Sequence, residues 1–205
     1  MTNKSIDINQ RIPLDTLHAA LESYLKNNYS TDYIVEQLQL DFEGDNRIKK
    51  AIRIINKIIL KSPLLDIITN NKEEILSAVK RKTDRDIICI ALLNAAFPFS
   101  FDVLKTFGKY FSVQDIINTE TVKKPISNIY GGNRATENGM YSVIPMFIEA
   151  NFFERPKSGL YKFNNKLKTS FSISKLLYLE SYKINNKIDE IQDYQLLDPY
   201  FLFIE

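Results

Sequence analysis

The sequence predicts a mainly α-helical protein in which a helical bundle domain is followed by a winged-helix-like domain with a small β-hairpin. Three observations support this fold class. Glycine and proline are scarce, at 6 and 7 of 205 residues, which favours long helices over a many-turned β fold. Apolar residues recur at helical spacing along most of the chain. The stretch from Thr119 to Asn164 has the pattern helix, glycine turn, helix, hairpin, which is the layout of a winged helix-turn-helix.

Composition places the chain among ordinary globular proteins. Hydrophobic residues make up 44% and charged residues 25% of it, which argues against disorder. The one cysteine cannot form an internal disulfide and fits a reducing compartment. The first residues lack the apolar run of a signal peptide, and no stretch reaches the roughly 20 apolar residues that cross a bilayer. These features predict a cytoplasmic protein that does not contact a membrane.

Residues 1–100 are predicted to form the helical bundle domain. Residues 1–12 are polar and are expected to be a loose arm, after which Pro13 can begin a helix. Ser30-Thr31-Asp32 is a good N-cap for a second helix. Asp84–Phe97 is predicted from its composition to be the most buried helix, and its alanines allow neighbouring helices to approach closely.

A third helix, Arg47–Lys61, combines an apolar stripe with a basic side. Its cations recur every four residues, with one more beside them: Lys49, Arg53, Lys57, Lys61 and Lys50. Like charges at this spacing repel one another by a few tenths of a kcal/mol. A run of charges is usually a solvated face, and the functional alternative is a helix that contacts the phosphates of a nucleic acid.

Residues 101–170 are predicted to form the winged-helix-like domain. A helix over Phe101–Phe111, with valine, leucine and phenylalanine as core, either is the first helix of this module or packs it against the N-terminal half. Ser112 is expected to cap a short helix over Val113–Asn118. The next helix covers Thr119–Tyr130, where apolar residues recur at a spacing of three to four.

The glycine turn and the hairpin complete this domain. Gly131-Gly132-Asn133 forms the turn, because glycine adopts positive φ angles that other residues avoid. The second helix covers Arg134–Asn151, and Pro145 is expected to kink or interrupt it near Tyr141. Phe152–Phe163 is a hairpin in which aromatic residues flank a basic Pro-Lys-Ser-Gly turn.

Residues 171–205 are predicted to pack back on the core as a C-terminal helix and an apolar tail. The helix covers Ser172–Lys187. The final Tyr-Phe-Leu-Phe-Ile-Glu is too apolar to remain in solvent, so an edge strand or a segment docked in a groove is expected.

Positive charge concentrates in the winged-helix-like segment. From Val103 to Ser170 there are ten Lys and Arg against five Asp and Glu, a net charge of +5, which leaves −3 for the remainder of the +2 chain. Local clustering of this kind is typical of nucleic-acid-binding surfaces. The candidate contact residues are Lys49, Lys50, Arg53, Lys57, Lys123, Lys124, Asn133, Arg134, Thr136, Asn138, Tyr141, Arg155, Lys157 and Lys162.

The start of the helix after the glycine turn is the expected site of base recognition. The N-terminal residues of a recognition helix face base edges, where arginine suits guanine and asparagine suits adenine. Lys157 at the hairpin tip, with Lys162, is expected to contact the DNA backbone or minor groove. The structural alternative is that Asn133 only caps the helix and Arg134 is an ordinary surface residue.

No residue pattern identifies a reaction. His18, the sole histidine, lies between core leucines without Ser, Cys or Asp at useful spacing, and Cys89 is surrounded by isoleucines. The sequence has no P-loop motif, no CxxC pair and no histidine-rich metal set. We therefore expect no enzymatic activity, no cofactor and no bound metal.

The overall layout resembles the BrxA family of bacterial BREX phage-defence systems. Three features suggest it: the helix start Asn46-Arg47-Ile48-Lys49-Lys50-Ala51, the paired apolar helices through Phe97, and the later winged segment. The resemblance implies a helical core likened to the NusB fold and a DNA-binding accessory component without catalysis of its own.

Two functions are compatible with these patterns. The first is binding of double-stranded DNA through residues 119–164, assisted by the basic side of Arg47–Lys61. The alternative is a protein–protein adaptor that uses the winged helix and the aromatic tail to bind other subunits or a second copy of the chain. Salt dependence separates them, because phosphate contacts weaken steeply with salt.

Overall fold

A computed structural model describes residues 5–205 and shows a mainly helical protein. Within these residues there are ten α-helices: α1 (Leu14–Leu25), α2 (Thr31–Gln39), α3 (Asp45–Ile59), α4 (Leu65–Asn70), α5 (Lys72–Ala78), α6 (Lys82–Ala96), α7 (Pro98–Phe111), α8 (Thr119–Tyr130), α9 (Arg134–Glu149) and α10 (Ser172–Asn186). Two 3₁₀ helices follow, Asp193–Leu197 and Pro199–Phe203.

Three short strands form one antiparallel sheet: β1 (Ile116–Asn118), β2 (Glu154–Lys157) and β3 (Leu160–Lys162). The strand order is β1-β3-β2, so β3 lies in the middle. Ile117 of β1 pairs with Tyr161 of β3, and both side chains are buried. The predicted hairpin is therefore present, and a third strand that comes before α8 extends it.

The predicted short helix over Val113–Asn118 is wrong. Its second half is strand β1, whose residues pair with a strand more than 40 positions later in the chain. Two adjacent β-branched residues, Ile116 and Ile117, suit this extended conformation. Ser112 instead ends α7, and its hydroxyl donates to the carbonyl of Lys109.

Helix α6 runs through the centre of the core. Twelve of its fifteen residues are buried, which confirms the prediction that it is the most buried helix. Helix α10 packs along it, and α7 continues from it through Phe97. Within residues 5–205 no single helix is long and apolar enough to cross a membrane; α6 and α7 meet that criterion only as a pair bent by 120°.

The N-terminal arm is more ordered than the sequence predicts. Residues 1–4 lie outside the described part of the chain, but Ile8 and Ile12 are fully buried. The three isoleucines of this arm, Ile6, Ile8 and Ile12, are spaced by two and by four, so they follow neither a strand nor a helical period that would indicate a packed segment. Pro13 precedes the first residue of α1, as expected.

The C-terminal tail docks into a groove, one of the two predicted arrangements. Tyr200 and Phe203 are fully buried. The Tyr200 ring stacks on that of Tyr178 in α10, with centroids 4.4 Å apart. Gly108 of α7 allows this approach, because a Cβ atom there would collide with the carbonyl oxygen of Pro199.

Buried apolar side chains from Ile8 to Ile204 form one continuous cluster. The boundary predicted near residue 100 falls inside α7, and Phe99 and Phe101 on either side of it both belong to this cluster. Phenylalanine rings join distant parts of it: Phe107 of α7 stacks on Phe153 at 4.2 Å, and Phe153 lies 6.3 Å from Phe203 of the tail.

Candidate nucleic-acid interface

The glycine turn positions the start of α9. Gly131 adopts a φ of +92°, which L-residues with a side chain rarely take. Asn133 then caps the helix: its Oδ1 accepts hydrogen bonds from the backbone amides of Ala135 and Thr136 at 3.0 and 3.1 Å. The Asn133 side chain is thus engaged in helix capping, the structural alternative that the sequence left open.

Thr136 is not on the surface. Its side chain is buried, and its hydroxyl donates to the carbonyl oxygen of Gly131 at 2.5 Å. This bond satisfies a carbonyl at the end of α8 and ties the two helices together. The prediction that Thr136 faces a base edge therefore requires correction, because the residue faces inward.

The exposed face of α9 presents three of the predicted contact residues. Arg134, Asn138 and Tyr141 occupy positions that fall on one side of a helix, at spacings of four and three. All three are exposed, and Tyr141 has 70% of its surface accessible.

Pro145 does not interrupt α9, which continues to Glu149. The bond it removes is to the carbonyl of Tyr141, on the exposed side, where water can replace it.

Lys123 of α8 is engaged with acidic neighbours. Its Nζ lies 2.7 Å from Glu137 Oε1 in α9 and 3.9 Å from Glu120 Oε1. The hydrogen bond and charge of Glu137 raise the pKa of Lys123, and Lys123 in turn lowers the pKa of the Glu137 carboxyl. The pair carries little net charge. Lys124, the next residue, is exposed.

The hairpin adds two exposed cations. Arg155 and Lys157 lie on β2, all four residues of which are exposed. An Arg155 guanidinium nitrogen donates to Ser158 Oγ at 3.2 Å across the turn. Lys162 on β3 pairs with Glu154 at 3.4 Å. Hydrogen bonds from Asn164 and from Lys162 lower the pKa of Glu154.

A groove of about 220 Å³ separates α9 from the hairpin. Its walls are mainly apolar and come from α9 and from β3: Met140, Tyr141, Ile144, Pro145, Ile148 and Tyr161. Lys123, Glu137 and Arg155 form its polar rim. Met140 and Ile144 are nevertheless buried, whereas Tyr141, which the sequence predicts as a contact residue, is exposed.

No protein-family model, curated protein or solved structure matches this chain.

The basic side of α3 lies in a different cleft. Lys49, Lys50 and Arg53 are exposed, while Lys57 is half-buried and pairs with Asp7 at 3.1 Å. The residues that line this cleft and the α9 groove do not overlap. The predicted contact residues thus divide into two sets: one on α8, α9 and the hairpin, and one on α3.

Neither residue considered for catalysis is placed for it. Cys89 is buried within α6, and burial raises the pKa of its thiol. His18 Nε2 lies 3.7 Å from Glu22 Oε2, beyond hydrogen-bonding distance. Across residues 5–205, no three His, Cys, Asp or Glu side chains are grouped to hold a metal ion.

Proposed function

We propose that this chain is a non-catalytic protein that binds double-stranded DNA through a winged helix. The winged helix would comprise α7, β1, α8, α9, β2 and β3. The order of these elements, the central position of β3 and the glycine turn between α8 and α9 support this assignment. By its resemblance to the BrxA family, the proposal extends to an accessory role in a bacterial phage-defence system.

The observation that carries the proposal is the exposed row Arg134, Asn138 and Tyr141 beside the exposed cations of the hairpin. In this proposal α9 enters the major groove, where Arg134 can bind guanine and Asn138 adenine. Arg155 and Lys157 contact phosphates and fix the orientation of α9 on the duplex. Asn133 and Thr136 act indirectly, by holding the start of the helix.

The first test measures binding of a labelled DNA duplex by fluorescence anisotropy at low and at physiological salt. Arg134→Ala combined with Lys157→Ala removes one proposed base contact and one phosphate contact. We expect affinity to fall on the order of tenfold or more. Both side chains are exposed, so the melting temperature should change by less than about 2 °C.

A matched control is Arg81→Ala combined with Lys175→Ala, which removes the same two residue types from exposed positions, one just before α6 and one on α10. We expect it to bind like the parent protein. Equal affinity of the parent and the Arg134/Lys157 variant would contradict the winged-helix proposal.

The apolar groove beside α9 favours a second candidate function, a protein–protein adaptor. A partly open apolar face rimmed by charged residues is typical of grooves that accept a peptide segment. In the aromatic tail, Tyr200 and Phe203 are buried, whereas Tyr194, Leu196 and Leu197 are exposed and could also contact a partner. Absence of DNA binding even at low salt would favour the adaptor, since apolar contacts are insensitive to salt.

A further inference from the structure

A second basic surface lies on α3, in a cleft of about 650 Å³ between this helix and residues 6–9 of the N-terminal arm. We call it the α3 cleft. Four cations line it: Lys49, Arg53, Lys57 and Lys61. Phe97 and isoleucines of α3 and of the arm complete the walls.

Three of the four cations, Lys49, Arg53 and Lys57, form a regular row on α3. They are four residues apart, so the helical rise places successive cations about 6 Å apart and the two ends about 12 Å apart. Lys61 lies two residues beyond the end of the helix. Lys49, Arg53 and Lys61 are exposed. A single small anion would contact only part of such a row. Each strand of a duplex carries a phosphate about every 3.4 Å along the duplex axis, so a row of about 12 Å laid along that axis spans roughly four phosphates of one strand.

Asp7 is the one acidic residue that lines the cleft within the described part of the chain. Its Oδ2 accepts from Lys57 Nζ at 3.1 Å. This hydrogen bond, with the charges of Lys57 and Arg53, lowers the pKa of the Asp7 carboxyl despite the opposing effect of burial. The arm thus already places an anionic oxygen against the row. Lys57 Nζ also lies 4.5 Å from the centre of the Phe97 ring, which helps to fix its position.

We propose that the α3 cleft binds the sugar-phosphate backbone of duplex DNA. In this proposal the Asp7 carboxylate stays hydrogen-bonded to Lys57 until a DNA phosphate replaces it. This inference rests on the proposed function only in that the ligand is DNA. The cleft shares no lining residue with the groove beside α9, and the two surfaces can be tested separately. Contacts of this kind carry no sequence information, so the α3 cleft would add affinity without specificity.

Two variants test the α3 cleft from opposite directions. Lys49→Gln, Arg53→Gln and Lys61→Gln together remove three exposed charges. We expect affinity for a labelled duplex to fall on the order of tenfold at low salt, and the slope of log affinity against log salt to decrease by about 3. Asp7→Asn releases Lys57 and should raise affinity about two- to fivefold, because the phosphate no longer competes with a carboxylate.

The matched control for the triple variant is Lys80→Gln, Arg81→Gln and Lys175→Gln, which removes two lysines and one arginine from exposed positions elsewhere. It should leave the salt slope within about one unit of the parent value. Far-ultraviolet circular dichroism confirms that each variant is folded.

The outcomes separate this inference from the proposed function. If the α3 triple variant loses affinity and the Arg134/Lys157 variant does not, the result supports the α3 cleft and overturns the winged-helix assignment. If only the Arg134/Lys157 variant loses affinity, the result overturns the α3 cleft. Loss in both variants supports both. Reduced affinity of Asp7→Asn overturns the role of Asp7. Displacement of DNA from the parent protein by poly-glutamate as readily as by unlabelled duplex overturns the assignment to a nucleic-acid backbone.

Discussion

At the scale of single residues, His18 is the group whose protonation the fold opposes most clearly near neutral pH. Burial, followed by the charge of Arg85, lowers the pKa of its imidazole below the usual 6.5, although nearby carboxylates act in the opposite direction. The unfolded chain therefore binds a proton at a higher pH than the folded chain does.

The consequence is a pH-dependent loss of stability. The contribution of neutral His18 to the free energy of unfolding is fully present above pH 6.5, the usual pKa of an imidazole. It decreases as the pH falls from there towards the lower pKa of the folded state, by at most about 1.4 kcal/mol per pH unit. Urea denaturation at a series of pH values between about 5 and 8 measures this change in the free energy of unfolding. His18→Gln should flatten the dependence, and an identical dependence in parent and variant would rule out His18 as its source.

The predicted contact residues show which details a sequence can supply. Arg134, Asn138 and Tyr141 could be placed on one face from spacing alone. Thr136 could not be placed so easily, because its burial depends on the carbonyl of Gly131 at the end of the preceding helix. The spacing of Thr136, Gly139, Met140 and Val143, all buried, was the available signal.

At the scale of elements, the start of α10 depends on a carboxylate from α6. Asp84 is fully buried. It accepts from the backbone amides of Ser170 and Phe171 at 3.1 Å and from Ser174 Oγ at 2.7 Å. These donors belong to the N-terminal end of α10, so Asp84 replaces the local cap that Phe171 cannot provide.

Asp84→Ala should therefore be strongly destabilising. It leaves two backbone amides and the buried Ser174 hydroxyl without their acceptor, and we expect the free energy of unfolding to fall by about 3 kcal/mol. Chemical denaturation measures the change, with the exposed Asp189→Ala as control. A loss below about 0.5 kcal/mol would show that water satisfies these donors instead. DNA affinity of the folded fraction should not change.

Strand β1 illustrates why one element was assigned wrongly. Only three residues long, it follows a serine that is a plausible helix cap. The conformation of Ile116–Asn118 is decided by pairing with β3, a contact between residues distant in sequence. Local propensity cannot report such pairing, whereas the long helices on either side carry enough periodic apolar residues to be predicted.

At the scale of the whole molecule, the continuous core predicts how the chain unfolds. Apolar residues before and after the predicted boundary near residue 100 belong to one buried cluster. The tail adds a polar network to it: Tyr200 Oη accepts from Asn94 Nδ2 at 3.0 Å and lies 2.7 Å from Ser181 Oγ. We therefore expect one cooperative thermal transition, with equal calorimetric and van't Hoff enthalpies. Two separate transitions would show that the bundle and the winged-helix-like segment are independent domains.

Tyr141 offers a direct spectroscopic view of the α9 face. The chain contains no tryptophan, and Tyr141 is exposed at the edge of the apolar groove. Tyr141→Trp would introduce a single indole there, and excitation at wavelengths that tyrosine does not absorb would select it. Stacking against a base quenches indole emission, whereas enclosure by an apolar peptide shifts it to the blue. One substitution can therefore report which kind of molecule covers this surface, in the unlabelled protein and in free solution.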